Sequence, residues 1–188
     1  MTELTKSQPH AAPALIGVRF EPGGGIDRIL GEVAQKLARG RFRVAGLIQT
    51  RGEVTAECSC REMRLHDLAT GKVTIISEKR GPAARGCHLD WEALTGLARS
   101  LEEDLSPQTD VLIINRFGRS ESEGRGFRGA IEKALELDVP VIVAFRAEYE
   151  DEWMAFQGGM AKPCAPDVDA LVGEIEGPCA PVVDEKTA

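Results

Sequence analysis

Apolar positions along the chain change rhythm several times, and each change marks an element. Leu15, Ile16 and Val18 form a short apolar run that reads as a buried strand, and a tight loop carrying Gly23, Gly24 and Gly25 follows. Ile26, Ile29, Leu30, Val33 and Leu37 then recur at three- and four-residue steps, which predicts a helix with one buried face. Gly40 stops that helix, and Arg39, Arg41 and Arg43 suit the negative end of its dipole. Residues 42–49 read as a second strand, parallel to the first across a right-handed crossover. Residues 50–60 show no sustained period and read as a loop. Residues 61–68 alternate through Met63 and Leu65, residues 73–77 are a second extended run, and Gly71 lies in the turn between them. That is the pattern of a β-hairpin.

In the second half Asp90 stands where an N-cap precedes a helix, whose buried face is Leu94, Leu97, Ala98, Leu101 and Leu105. Residues 106–108 break it. Residues 110–115 are apolar on both faces, as a central parallel strand requires. A polar loop over 116–125 leads to a helix that buries Phe127, Ala130, Ile131, Ala134 and Leu135. Residues 139–145 make another buried strand. Two short helices follow, over 148–156 with Trp153 and over 167–176 with Val168, Leu171, Val172 and Ile175. Strands alternating with helices predict an α/β fold of three layers, with a mostly parallel sheet and an inserted antiparallel hairpin. The domain is expected over residues 14–177, between a disordered lead (1–13) and a loose tail (178–188).

Composition narrows the functional classes. The chain has 188 residues, 43% hydrophobic and 28% charged, which suits a globular domain with a real core. Its net charge of −7 argues against general nucleic-acid binding, which needs a positive surface. No apolar run reaches the roughly 18 residues of a membrane span, and the polar N-terminal stretch lacks an apolar signal core, so a cytoplasmic location is expected. The five cysteines are expected as free thiols. Cys58, Cys60 and Cys87, with His88 beside the last, offer zinc-ligand chemistry, but none of the spacings is of the C-x-x-C type.

The candidate chemistry lies in the loops that follow the strands, because ligands of open parallel sheets bind beyond the strands' carboxyl ends. A strand, a glycine loop and a helix in that order are the parts of a phosphate-binding loop, with amides and the positive end of the helix dipole facing an anion. Where such a loop places Lys and Ser/Thr after its last glycine, this chain has Ile26 and Asp27. Two further loops, over 79–90 and 115–125, add Arg80, Arg85, Arg116, Arg119 and Arg125 to the same rim, with Glu121 and Glu123 at hand to neutralise them. Asp27 reads either as the helix N-cap or as a magnesium ligand in place of the hydroxyl. His88 reads as a hydrogen-bonding loop residue or an acid/base group, and His66 as structural.

The order of motifs resembles the small nucleoside-triphosphatase family of the P-loop class first described from thermophiles. The matching segments are residues 44–47, the hairpin over 63–77, the loop over 81–90 and residues 113–118. More closely, the chain is similar to a bacterial family of unknown function that has this architecture with degenerate motifs. Gly25-Ile26-Asp27, Gly46-Leu47-Ile48-Gln49, Gly86-Cys87-His88-Leu89-Asp90 and the long segment Asn115 to Gly126 carry that resemblance, over about residues 14–175. It implies a P-loop NTPase-like fold. Members are often encoded near molybdenum-uptake and molybdenum-enzyme genes, which implies a role in molybdate or metal-cofactor handling.

The resemblance also sharpens what is missing. Lysine on the phosphates, a hydroxyl on magnesium and a strand-end acid are the working parts of a P-loop enzyme. Ile26, Asp27, Asn115 and Arg116 stand in their places. The expectation is a non-hydrolysing protein that binds an oxyanion such as molybdate, or a nucleotide phosphate. Its ligand contacts are drawn from Gly23, Gly24, Gly25, Ile26, Asp27, Arg85, His88, Asn115, Arg116, Arg119 and Arg125. Two alternatives stand beside it. One is a nucleoside triphosphatase or phosphotransferase with Arg119 or Arg125 on the phosphates and Asp27 or Glu121 on magnesium. The other is an interaction module with a vestigial pocket, its partner a second copy of the chain or a molybdenum-pathway protein.

Overall fold

The computed structural model describes residues 14–51, 62–78 and 88–177. Strand β1 (Leu15–Phe20) leads through the glycine loop into helix α1 (Ile26–Arg39), and β2 (Val44–Arg51) follows. The hairpin is β3 (Met63–Asp67) and β4 (Val73–Ile75), turned at Gly71, whose φ is +74°. A two-residue ribbon, β5 (Ser77–Glu78) with β6 (His88–Leu89), precedes α2 (Trp91–Asp104). Then come β7 (Val111–Phe117), the short α3 (Arg119–Ser122), α4 (Arg128–Glu136) and β8 (Val141–Arg146). Helix α5 (Glu150–Gln157), β9 (Lys162–Cys164) and α6 (Val168–Glu176) complete the order. The expected Asp90 cap forms, accepting from the Ala93 amide, and Asp167 caps the last helix in the same way from the Ala170 amide, each at 2.9 Å.

The main sheet runs β4-β3-β2-β7-β8-β1-β9. Its β2, β7, β8, β1 and β9 pairings are parallel, and only the hairpin side is antiparallel. The expected α/β class, mostly parallel with an inserted hairpin, is therefore the observed one. β1 and β2 are parallel as expected, but β7 and β8 lie between them. Sequence neighbours are not sheet neighbours here, and that brings the ends of β1, β7 and β8 to one rim.

Two apolar layers sandwich the sheet. Ile16, Val18, Ile113 and Ile142 face α1 and α6 on one side, while Leu15, Leu47, Leu112 and Ile114 face α2 and α4 on the other. Alternation along β1 sends adjacent residues to opposite layers. Trp153 of α5 stacks on Phe145 at 5.1 Å and meets Phe117 edge-on at 5.4 Å, so α5 closes the end of the second layer. Gly46 is required by a close approach: at φ +136°, a Cβ there would stand 2.0 Å from the Ile113 carbonyl oxygen of β7.

Several boundaries depart from the sequence reading. Thr50 and Arg51 belong to β2, and Arg116 and Phe117 continue β7 instead of opening a loop. Phe117 is the reason for the latter, since its ring lies fully buried against Trp153. The supposed loop over 116–125 also contains α3. β9 lacks any apolar period, because Lys162 and Pro163 are exposed and the strand exists through its pairing with β1. The predicted lead (1–13), the tail (178–188), Arg80, Arg85, Cys58, Cys60 and Cys87 lie outside the described residues.

Candidate functional site

The glycine loop is held by its own backbone at one point. The Gly24 amide donates to the Glu21 carbonyl at 3.0 Å. Gly25, at φ +68°, is the N-cap of α1 and makes no side-chain cap. This corrects the N-cap reading of Asp27, which is instead the second residue of the helix. Among the described residues the amides of Gly23, Gly25, Ile26 and Asp27 have no protein acceptor. Those amides at a helix N-terminus border a cavity of about 290 Å³, walled also by Phe20, Glu21, Arg116 and Arg146. Glu21 is itself held by Arg19, at 2.9 Å.

Arg116 reaches the loop because β7 is irregular at its end. Ile114 pairs with Val143 and Phe117 with Phe145, so β7 spends one more residue than β8 over that interval. A bulge of this kind re-aims side chains, and both Asn115 and Arg116 converge on Asp27. Arg116 Nη2 donates to Asp27 Oδ1 at 3.0 Å and Oδ2 at 3.2 Å, and Asn115 Nδ2 donates to Oδ1 at 3.1 Å. The guanidinium also lies 5.8 Å from the centre of the Phe20 ring. Its Nε is buried with no acceptor, as is the Oδ1 of Asn115 with no donor.

Arg146 is the functional candidate that sequence reading missed. It ends β8 directly beside Phe20 in the parallel register, with Nη1 on Glu148 at 3.1 Å and Nε buried without an acceptor. Only the strand order could have found it, because nothing local distinguishes one arginine after an apolar strand.

The other predicted residues divide. Arg119 pairs with Glu123 at 2.8 Å, and Arg125 pairs with the same carboxylate. Both arginines hold the Glu123 carboxyl below its usual range. Arg125 lies over the Trp91 ring at 5.4 Å, and neither arginine walls the glycine cavity. Arg119 borders a second, largely apolar cavity of about 290 Å³ between the hairpin and α2, which also touches Asn115 and Arg116, and a smaller one of about 180 Å³ shared with Phe20, Arg116 and Arg146. Glu121 turns inward: its carboxylate accepts the Gly118 and Phe127 amides, each at 3.0 Å, and burial raises its pKa against those two bonds. His88 contributes backbone to β6, opposite Glu78. Among the described residues no three His, Cys, Asp or Glu side chains gather as a metal site, and no helix is long and apolar enough to cross a membrane.

Known proteins share this architecture. A family profile described as a protein of unknown function, DUF2478, matches residues 15–173. The chain is 27% identical over 158 residues to the molybdenum import ATP-binding protein ModC 2 of Bradyrhizobium diazoefficiens, covering 84% of this chain. That match spans only 17% of the relative's own length. It is 31% identical over 131 residues to the nucleoside-triphosphatase THEP1 of Methanosarcina acetivorans, covering 68% of this chain and 73% of that one. Among solved structures, THEP1 from the hyperthermophile Aquifex aeolicus superposes with a TM-score of 0.60 at 17% identity, over 85% of this chain and 95% of that one. A human cancer-related nucleoside triphosphatase gives 0.57 at 12%, over 86% and 95%. Such low identities speak for the fold alone. By its sequence the chain belongs to DUF2478, a family of proteins of unknown function, and by its fold to the P-loop NTPase-like class.

Proposed function

We propose that this protein binds a small phosphate-like anion, a nucleotide phosphate or an oxyanion such as molybdate, in the glycine cavity and does not hydrolyse it. The observation that carries the reading is the lining of that cavity. Four amides without acceptors among the described residues and two arginines, each tethered to a carboxylate by one terminal nitrogen, meet there. Amides at a helix N-terminus and guanidinium forks are the donors that hold tetrahedral anions. A retained cradle without the lysine favours binding over turnover, since charge stabilisation is usually the largest catalytic contribution. The relatives named for nucleoside triphosphatase activity and for molybdenum import support nucleotide or molybdate as the anion, and with it an accessory role in molybdenum metabolism.

Equilibrium dialysis against ATP, molybdate and sulfate tests the reading. Retention of ATP or molybdate that falls in Arg146→Ala is expected, and phosphate release from ATP equal to the blank. Retention of none of the three would end it. The hydrolytic alternative draws on the relatives' names, but Arg119 and Arg125 are engaged by Glu123, and Glu121 by two amides. Magnesium-dependent phosphate release above the blank would restore it.

A further inference from the structure

Arg116 reverses the charge expected at the metal position of a phosphate-binding loop, and Asp27 puts a carboxylate where a hydroxyl is expected. In P-loop enzymes a hydroxyl just after the loop lysine and an acid at a strand end hold a magnesium ion against the phosphates. Asp27 occupies the first position, and Asn115 with Arg116 the second. A divalent cation needs oxygen donors with free lone pairs and no positive group beside them. Here the Asp27 carboxylate accepts Arg116 on both oxygens and Asn115 on one, all within 3.2 Å. The residues present do not fit magnesium.

We infer that the Arg116 guanidinium takes the place of the metal, so that the loop binds its anion without any divalent cation. The inference rests on the anion-binding reading above and narrows its ligand class. The ligand is a free tetrahedral oxyanion or terminal phosphate, not its magnesium complex. Three features equip Arg116 for this. The bulge after Ile114 sets it at the cavity wall. Asp27 tethers it through Nη2 alone, and Nη1 has no partner among the described residues and, unlike Nε, is not buried. Arg146 repeats the arrangement from the adjacent strand, tethered by Glu148 through Nη1 with Nη2 unpaired among the described residues. Two guanidinium groups, each fixed by a carboxylate at one terminal nitrogen with the other terminal nitrogen left unpaired among the described residues, are preorganised for a multi-oxygen anion. The positive charge a metal would bring is built into the protein.

Calorimetry with molybdate and with ATP, each in EDTA and in excess magnesium chloride, tests this on the full chain, together with manganese binding followed by electron paramagnetic resonance. Molybdate affinity should agree within about twofold with and without magnesium, ATP should bind more tightly in EDTA, and wild-type protein should leave manganese free. Arg116→Ala should weaken the anion by at least about tenfold, the loss of a charge-assisted contact. The double variant Asn115→Asp/Arg116→Ala, with a second carboxylate and no cation, should capture manganese. Anion binding that appears only with magnesium, or wild-type manganese capture that Asp27→Asn abolishes, overturns the inference and leaves the anion site standing. No heat from either anion in either buffer overturns both. Should Arg116→Ala fail to fold, the wild-type measurements decide alone.

Discussion

Two carboxylates on the same rim have opposite fates. Asp27 keeps about a quarter of its side chain exposed (26%) and faces a guanidinium, whereas Glu121 is almost fully buried (4%) and faces only backbone amides. The first is charge meeting charge at a cavity wall, an arrangement that an incoming anion can share. The second is a carboxylate used as a clamp: it ties the start of α3 to the start of α4 through one amide on each oxygen. What separates them is the partner. A carboxylate that satisfies backbone contributes to the fold, and one that orients an arginine contributes to the site.

The largest expected effect lies on the clamp. Glu121→Ala leaves two amides beside Phe127 and Gly118 without their acceptor and should lower unfolding stability by about 3 kcal/mol in urea denaturation. Gly126→Ala should do much the same by a different route. At φ +63°, its new Cβ would stand 2.1 Å from Glu121 Oε1 and displace the carboxylate. Both variants should keep anion affinity in the fraction that stays folded. A loss of binding with stability unchanged would reverse the comparison and make Glu121 the site residue.

Breaking the other pair should do the opposite. Arg116→Ala removes a partly exposed ion pair, so stability should fall by only about 1 kcal/mol, while anion retention drops severely. A denaturation shift as large as that of Glu121→Ala would show that the Asp27–Arg116 pair holds the fold.

Acidity separates a clamp from a surface pair in sign as well as size. Burial raises the Glu121 pKa above its ordinary 4.5, so the native state keeps that proton to higher pH than the unfolded chain does. Its contribution is complete below the unfolded value and is lost as pH rises through the native one, with a slope of at most about 1.4 kcal/mol per pH unit. Glu123, lowered by Arg119 and Arg125, runs the other way: its contribution is present above the unfolded value and fades as pH falls through the native one. Stability profiles of Glu121→Gln and Glu123→Gln across mildly acidic pH should therefore diverge from wild type in opposite senses. Matching profiles would erase the distinction.

How much of this was legible without coordinates follows from the range of the interactions. Local periodicity exposes α1, α2 and α4, because each buries a face spaced at three and four residues, and it exposes β7 and β8, because both their faces are apolar. The glycine loop between strand and helix was legible for the same reason. Strand order was not. β1 lies beside β8 and β9, and that pairing alone brings Arg146 to Phe20 and makes a strand of Lys162–Cys164. The bulge was hidden too, since Arg116 and Phe117 read as the start of a polar loop until the burial of Phe117 shows the strand passing through them. Charge at the rim was visible, but the division of its acids was not. Glu121 and Glu123 differ by two residues in sequence, and α3 turns one inward and the other out.

That division yields the smallest expected effect and the sharpest check on the site's limits. Glu123 holds both Arg119 and Arg125 at the surface, where solvent and salt screen such pairs. Glu123→Gln should lower the denaturation midpoint at neutral pH only slightly. It should leave anion affinity where it is, because neither freed arginine walls the glycine cavity. The measurement belongs at low ionic strength, where a released cation has its longest reach. If affinity for molybdate or ATP rises several-fold there and the gain vanishes in high salt, Arg119 or Arg125 acts on the bound anion from outside the cavity, and Glu123 restrains it. If affinity stays level in both, the anion is held by the arginines that Asp27 and Glu148 tether, and the outer pair belongs to the surface.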